Sequence, residues 1–171
     1  MADAKAVSEF RVARAVIAAL RCFALGPPAS SRRRRDEALA ALEGDLPPAL
    51  AEECLDELAE IAGEIGAARP SAAIFALPDA PALAASEFKL IAVLSVLQRG
   101  DICRALEQLT ALLADGRIGR TLFPMKSLAL RLGRAGIPIR PIGLREFSVI
   151  ACNTRPTPHA PARRPHLKVA R

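Results

Sequence analysis

The chain has no tryptophan and no tyrosine, and aromatic residues make up only 4% of it. A core without large rings has to be assembled from Ala, Leu, Ile and Val, a composition suited to interlocking helices. Histidine is nearly as scarce, since His159 and His166 are the only two and both sit in the proline-rich C-terminal stretch. Histidine-based acid–base catalysis and histidine-ligated metal chemistry therefore have almost nothing to work with. Cys22, Cys54, Cys103 and Cys152 lie far apart and form none of the close pairs that a zinc site or a dithiol motif requires. The first three fall on apolar helical stripes and are expected to be small buried thiols.

Long apolar runs are missing as well. The longest, 90–97, is bounded by Lys89 and Arg99 and falls short of the roughly 18 residues that a membrane span needs. Asp3, Glu9 and Arg21 interrupt any signal-like apolar segment near the N-terminus. The expectation is a cytoplasmic protein with no membrane partner. A glycine-rich phosphate loop is absent too, and no Ser, Thr or Cys has His and acid partners in a recognisable catalytic order. No catalytic residue, metal ligand, cofactor or small-molecule substrate is assigned, and an enzyme is not the expected class.

What the sequence does have is segregated charge. The net charge is +6, which favours polyanionic partners, nucleic acid being the commonest. From Arg117 onward there are twelve Lys or Arg against one acid, Glu146, while 36–64 holds ten acids and no base. The acidic face at 52–64 is ordinarily just solvated; it could also act as a polyanion mimic, docking on the basic C-terminal domain or on another basic protein. The basic run 32–35 could touch phosphates or neutralise that acidic segment.

Apolar periodicity divides the chain. The spacing predicts a helix over 8–25, with Phe10, Ala13, Val16, Ile17, Leu20 and Ala24 on one stripe. A second helix runs from 32 to about 43. A third follows Pro47 and Pro48, with Leu50, Cys54, Leu55, Leu58, Ile61, Ala62 and Ile65 on its apolar face. Three prolines between Pro70 and Pro81 mark 70–82 as a linker. A helix over 86–98, capped by Ser86, is apolar nearly all round and is expected at the centre of the second domain. Asp101 caps a helix carrying Ile102, Leu106, Leu109, Leu112 and Leu113. After a basic loop at 116–121, a short helix covers 123–134 with Pro124 in its first turn. Beyond Gly136, Ile137, Ile139 and Ile142 alternate with Pro138, Arg140 and Pro141, so 137–142 and 147–152 read as two short strands, the first restricted to a sheet edge by its prolines.

The expected fold is thus mainly α: an N-terminal helical module at 1–69, a linker at 70–82, a winged-helix-like domain of three helices and a small β-hairpin at 83–152, and a disordered basic tail at 153–171. Over 86–149 the chain resembles the DNA-binding effector domain of OmpR-type response regulators. Glu87-Phe88-Lys89-Leu90 is similar to the Glu-Phe-x-Leu opening of that family's first helix. Arg131-Leu132-Gly133-Arg134-Ala135-Gly136-Ile137 is similar to the end of its recognition helix and its strand entry. The match covers about 65 residues. At the wing, Gly143-Leu144-Arg145-Glu146-Phe147 stands where the family carries Gly-x-Gly-Tyr, and no receiver domain precedes it.

The resemblance implies a DNA-binding regulatory or accessory protein whose partner is duplex DNA. Ser127, Leu130, Arg131 and Arg134, flanked by Lys126, would face the major groove, with Arg140 and Arg145 on the wing. The competing expectation is a non-catalytic helical adaptor. In it the N-terminal helices, with Leu50, Leu55, Leu58 and Ile61, hold a protein partner or a second copy of the chain. The two readings separate on whether Arg131, Arg134, Arg140 and Arg145 share one exposed surface or pair with the acids of 52–64.

Overall fold

A computed structural model describes residues 2–25, 32–68, 74–76, 80, 82–113 and 117–140. These residues form six helices: α1 (Ala2–Ala24), α2 (Arg32–Glu43), α3 (Pro48–Ala68), α4 (Ala85–Gln98), α5 (Ile102–Leu112) and α6 (Ile118–Arg134). No helix is long and apolar enough to cross a membrane among the described residues. The mainly α expectation holds.

The apolar stripes do what their spacing implies. Val16, Ile17 and Leu20 of α1 and Ala51, Leu55, Leu58, Ile61 and Ile65 of α3 are buried. Of α4, Leu90, Ile91, Val93, Leu94, Val96 and Leu97 are buried, which makes it the central helix of the second half. The two halves share one core rather than keeping two. α1 packs on α2 and α3, α4 on α5 and α6, and the halves meet along α3 with α6 and α1 with α4. Buried residues from all six helices form a single cluster.

The segment expected as a linker joins that core. Ile74 and Phe75 are buried, the Ser86 hydroxyl donates to the Ile74 carbonyl, and the Ala76 amide donates to Glu87 Oε1 at 3.1 Å. Ser86 is therefore not the N-cap of α4. Ala84 occupies that position, and Glu87 at N3 takes the Ala84 amide on Oε2 at 2.6 Å, which is the carboxylate half of a capping box. Asp101 caps α5 as its sequence implies, accepting from the Arg104 amide at 3.1 Å. On α5, Ala105, Leu109 and Leu112 are buried, whereas Ile102 and Leu106 are exposed.

α6 starts five residues earlier than the sequence suggests, so Pro124 lies inside it. A proline there removes one helical hydrogen bond and crowds the carbonyl one turn back. Pro124 is buried in the core beside Met125 and Leu128, and this packing offsets the backbone cost. The helix ends in a Schellman motif: Gly136 takes φ +74°, its amide donates to the Gly133 carbonyl at 3.0 Å, and the Ile137 amide donates to Leu132 at 2.9 Å.

The expected wing is not supported. Ile137–Arg140 is irregular, and no strand occurs among the described residues. Gln98 takes the ladder positions that a second strand would need: its Nε2 donates to the Ile137 carbonyl at 3.0 Å and its Oε1 accepts from the Ile139 amide at 2.7 Å. Ile139 is buried. The second expected strand at 147–152, Arg145 and the basic tail lie outside the described residues.

Candidate functional site: the paired face of α3 and α6

α3 and α6 lie side by side and antiparallel, their register fixed by polar bonds. Arg117 Nη1 meets Glu64 Oε2 at 3.3 Å, the Ser127 hydroxyl donates to Glu57 Oε1 at 3.0 Å, and Arg131 Nη1 meets Glu53 Oε2 at 2.7 Å. Arg131 is bound most heavily, because its Nη2 and Nε also donate to Glu57 Oε1, at 2.7 and 3.2 Å. These bonds come straight from the sequence pattern: the acids of α3 repeat at helical spacing along the edge that α6 covers.

The electrostatics follow from the pairing. The hydrogen bonds that Arg131 donates to Glu57 and then to Glu53 raise its pKa above the ordinary value. Beneath the pair, burial first and the nearby Glu57 second push the Cys54 thiol from 9.0 up to about 12, so Cys54 stays protonated and inert. Of the other thiols, Cys22 is half-buried and Cys103 is exposed, contrary to the expectation that it is buried. Cys152 lies outside the described residues. No group of His, Cys, Asp or Glu able to hold a metal ion occurs among the described residues.

The residues expected to read DNA are thus divided. Ser127 and Arg131 point into the α3 seam and bond its acids. Lys126, Leu130 and Arg134 face outward on α6, and Arg140 is exposed beyond its end. The acids of α3 stand directly beside them, with Glu53, Asp56 and Glu60 all exposed. The run 32–35 is used in the same manner: Arg35 pairs with Asp56 at 2.7 Å, Arg33 with Glu37, and Arg34 donates to the carbonyls of Cys22 and Leu25. It neutralises acids and closes a helix end.

The residues expected to hold a protein partner are also relocated. Leu55, Leu58 and Ile61 are core, and Leu50 is half-buried. The apolar stripe of α3 is covered by α1, α2 and α6, so it forms no open groove. Beside Ile102 and Leu106 of α5, exposed apolar side chains lie on α6, where Phe123 is 76% and Leu130 40% exposed. Two open hollows flank the Arg131 bridge. One of about 430 Å³ is lined by Leu50, Glu53, Leu130 and Arg134 among others, and one of about 290 Å³ by Asp56, Glu60 and Phe123 among others. Phe123 has no precedent in the sequence reading. Its signal was the phase of a helix that begins at Ile118, on which it falls opposite the core stripe.

In comparisons with known proteins, no family model, curated protein or solved structure matches the chain.

Proposed function

We propose that the chain is a non-catalytic helical adaptor whose α3–α6 face binds protein, and that this face is not a DNA-reading surface. The observation that carries the reading is the bonding of Arg131 and Ser127 to Glu53 and Glu57. Arg131 would have to leave three charge-assisted hydrogen bonds to reach a base edge. The phosphates flanking a helix in the major groove would also meet Glu53, Asp56 and Glu60 on the neighbouring helix. Packed helix axes stand roughly 8–10 Å apart, about one Debye length at physiological salt, so that repulsion is only partly screened.

An alternating display of acid, base and apolar groups suits a protein partner, since electrostatic complementarity sets specificity and register while buried aromatic anchors supply most of the binding energy. The deciding experiment pairs an electrophoretic shift on random duplex DNA, run across a salt series, with thermal melts of Arg131→Ala. The adaptor reading expects no shift even at low salt and a lower melting temperature for the variant. A shift that weakens steeply with salt and disappears in Arg131→Ala, whose melt matches the parent, would return the chain to the DNA-binding reading.

A further inference from the structure

We propose that the partner of the α3–α6 face is a second copy of this chain, seated by a two-fold axis that runs parallel to the two helices, so that α3 of each copy lies on α6 of the other. The proposal rests on the protein-binding reading above and names its partner.

Two exposed ridges run side by side. On α6, Phe123, Lys126, Leu130 and Arg134 follow one another at helical spacing and all face outward. On α3, Glu53, Asp56 and Glu60 do the same. Lys126, Arg134 and Glu60 enter no ion pair among the described residues. One ridge is cationic with apolar knobs, its neighbour anionic, and a patch carrying both halves of a complementary pair is what an isologous interface requires.

Only two face-to-face two-fold arrangements keep these helices aligned. An axis running across the helices lays α3 on α3 and α6 on α6, setting Glu60 and Asp56 against their own copies and Lys126 against basic side chains. An axis along the helices lays α3 on α6 without changing height along the pair. The register bonds Glu64 to Arg117, Glu57 to Ser127 and Glu53 to Arg131 put Lys126 at the level between Asp56 and Glu60, and Arg134 near Glu53. In the second arrangement every ridge charge therefore meets its opposite, and like-charge juxtaposition excludes the first.

The shape agrees. Phe123 stands at the level of Glu60 to Gly63, and a side-chain carbon added at Gly63 would meet nothing within 4 Å, which leaves a low spot on the acidic helix for the ring. The product is a four-helix layer of two α3 and two α6 helices, with Phe123 and Leu130 removed from water.

Sedimentation equilibrium of the full chain tests this directly. The expected result is a two-chain mass, with Phe123→Glu raising the dissociation constant about tenfold or more. Glu60→Lys and Lys126→Glu should each weaken the dimer, and the double variant should return it to within roughly threefold of the parent, because the swapped charges meet across the axis. All three positions are exposed, so far-ultraviolet circular dichroism spectra matching the parent are expected and report that the fold is intact. A one-chain mass throughout, a dimer indifferent to Phe123→Glu, or a double variant no better than the singles overturns the proposal. A monomer that also leaves duplex DNA unshifted overturns the dimer alone, whereas a DNA shift removes the protein-binding reading itself.

Discussion

Arg21 and Glu87, 66 residues apart, close a bidentate ion pair in the interior: Nε to Oε1 at 2.6 Å and Nη2 to Oε2 at 2.7 Å. The arginine is 4% exposed and the glutamate not at all. Neither group has a lone charge left over. Arg21 also donates to the carbonyls of Ala80 and Ala82 at 2.8 and 2.9 Å, and Glu87 accepts from the amides of Ala76 and Ala84. One network thereby fastens the end of α1, Ala76, Ala80 and Ala82 of the segment between α3 and α4, and the start of α4.

Glu87→Ala should therefore cost about 3–5 kcal/mol, the usual consequence of leaving one buried charge without its partner. Urea unfolding measures it. The double variant Arg21→Met with Glu87→Leu should recover part of the loss, because no charge is then stranded. It should not recover all of it, because the Ala76 and Ala84 amides still lack their acceptor. A loss below about 1 kcal/mol for Glu87→Ala would mean that water reaches this site.

The shared core makes a claim about cooperativity. Leu58 of α3 and Leu94 of α4 are both buried, in opposite halves of the chain but in one cluster. Leu58→Ala and Leu94→Ala should each cost about 2–5 kcal/mol and should lower the same single transition. Denaturation followed by circular dichroism and by the exposure of Cys54 to a thiol reagent should give coincident curves. Two separated transitions, each moved by only one of the substitutions, would restore two independent modules.

Cys54 gives the pH dependence. Its pKa is about 12 in the folded chain against 9.0 ordinarily, so above pH 9 the unfolded chain releases a proton that the folded chain keeps. The contribution is fully present below pH 9 and is lost as pH rises from there toward 12, at up to about 1.4 kcal/mol per pH unit. Cys54→Val lacks this proton, so the stability difference between parent and variant should shift in favour of the variant across that window and stay flat below it. In the native protein Cys103, which is exposed, should react with a thiol reagent while Cys54 does not.

The helices were legible because their apolar stripes are long and regular: the buried set of α3 is the predicted stripe with Ala51 added and Leu50 only half covered, and α4 was recognisable as central from having almost no polar face. What escaped was tertiary. In the sequence Arg21 is a base that interrupts the N-terminal apolar segment and Glu87 belongs to a helix-opening pattern, and only packing α1 against α4 turns them into a buried pair. Phe123 read as the first residue of a helix because Pro124 suggests a helix start, and core packing overrode that local signal. Arg131 read as a DNA contact because sequence shows a basic face but not the acidic helix lying against it. The strand-like alternation of Ile137 and Ile139 was real, but its hydrogen-bond partner is a glutamine side chain and not a second strand.

That last pairing supplies a decisive test of the missing wing. Gln98 bonds both the Ile137 carbonyl and the Ile139 amide, and Ile139 is buried, so removing the side-chain amide takes the partner from two partly buried backbone groups. Gln98→Leu should cost about 1–3 kcal/mol and should speed hydrogen exchange at the Ile139 amide more than at Leu128 or Leu132 inside α6. Gln98→Glu keeps an acceptor for the Ile139 amide but sets a carboxylate against the Ile137 carbonyl, so it should fall below the parent while still protecting Ile139. If 137–142 were instead the edge of a hairpin, the Ile139 amide would owe its protection to another strand, and exchange there would be unchanged in both variants.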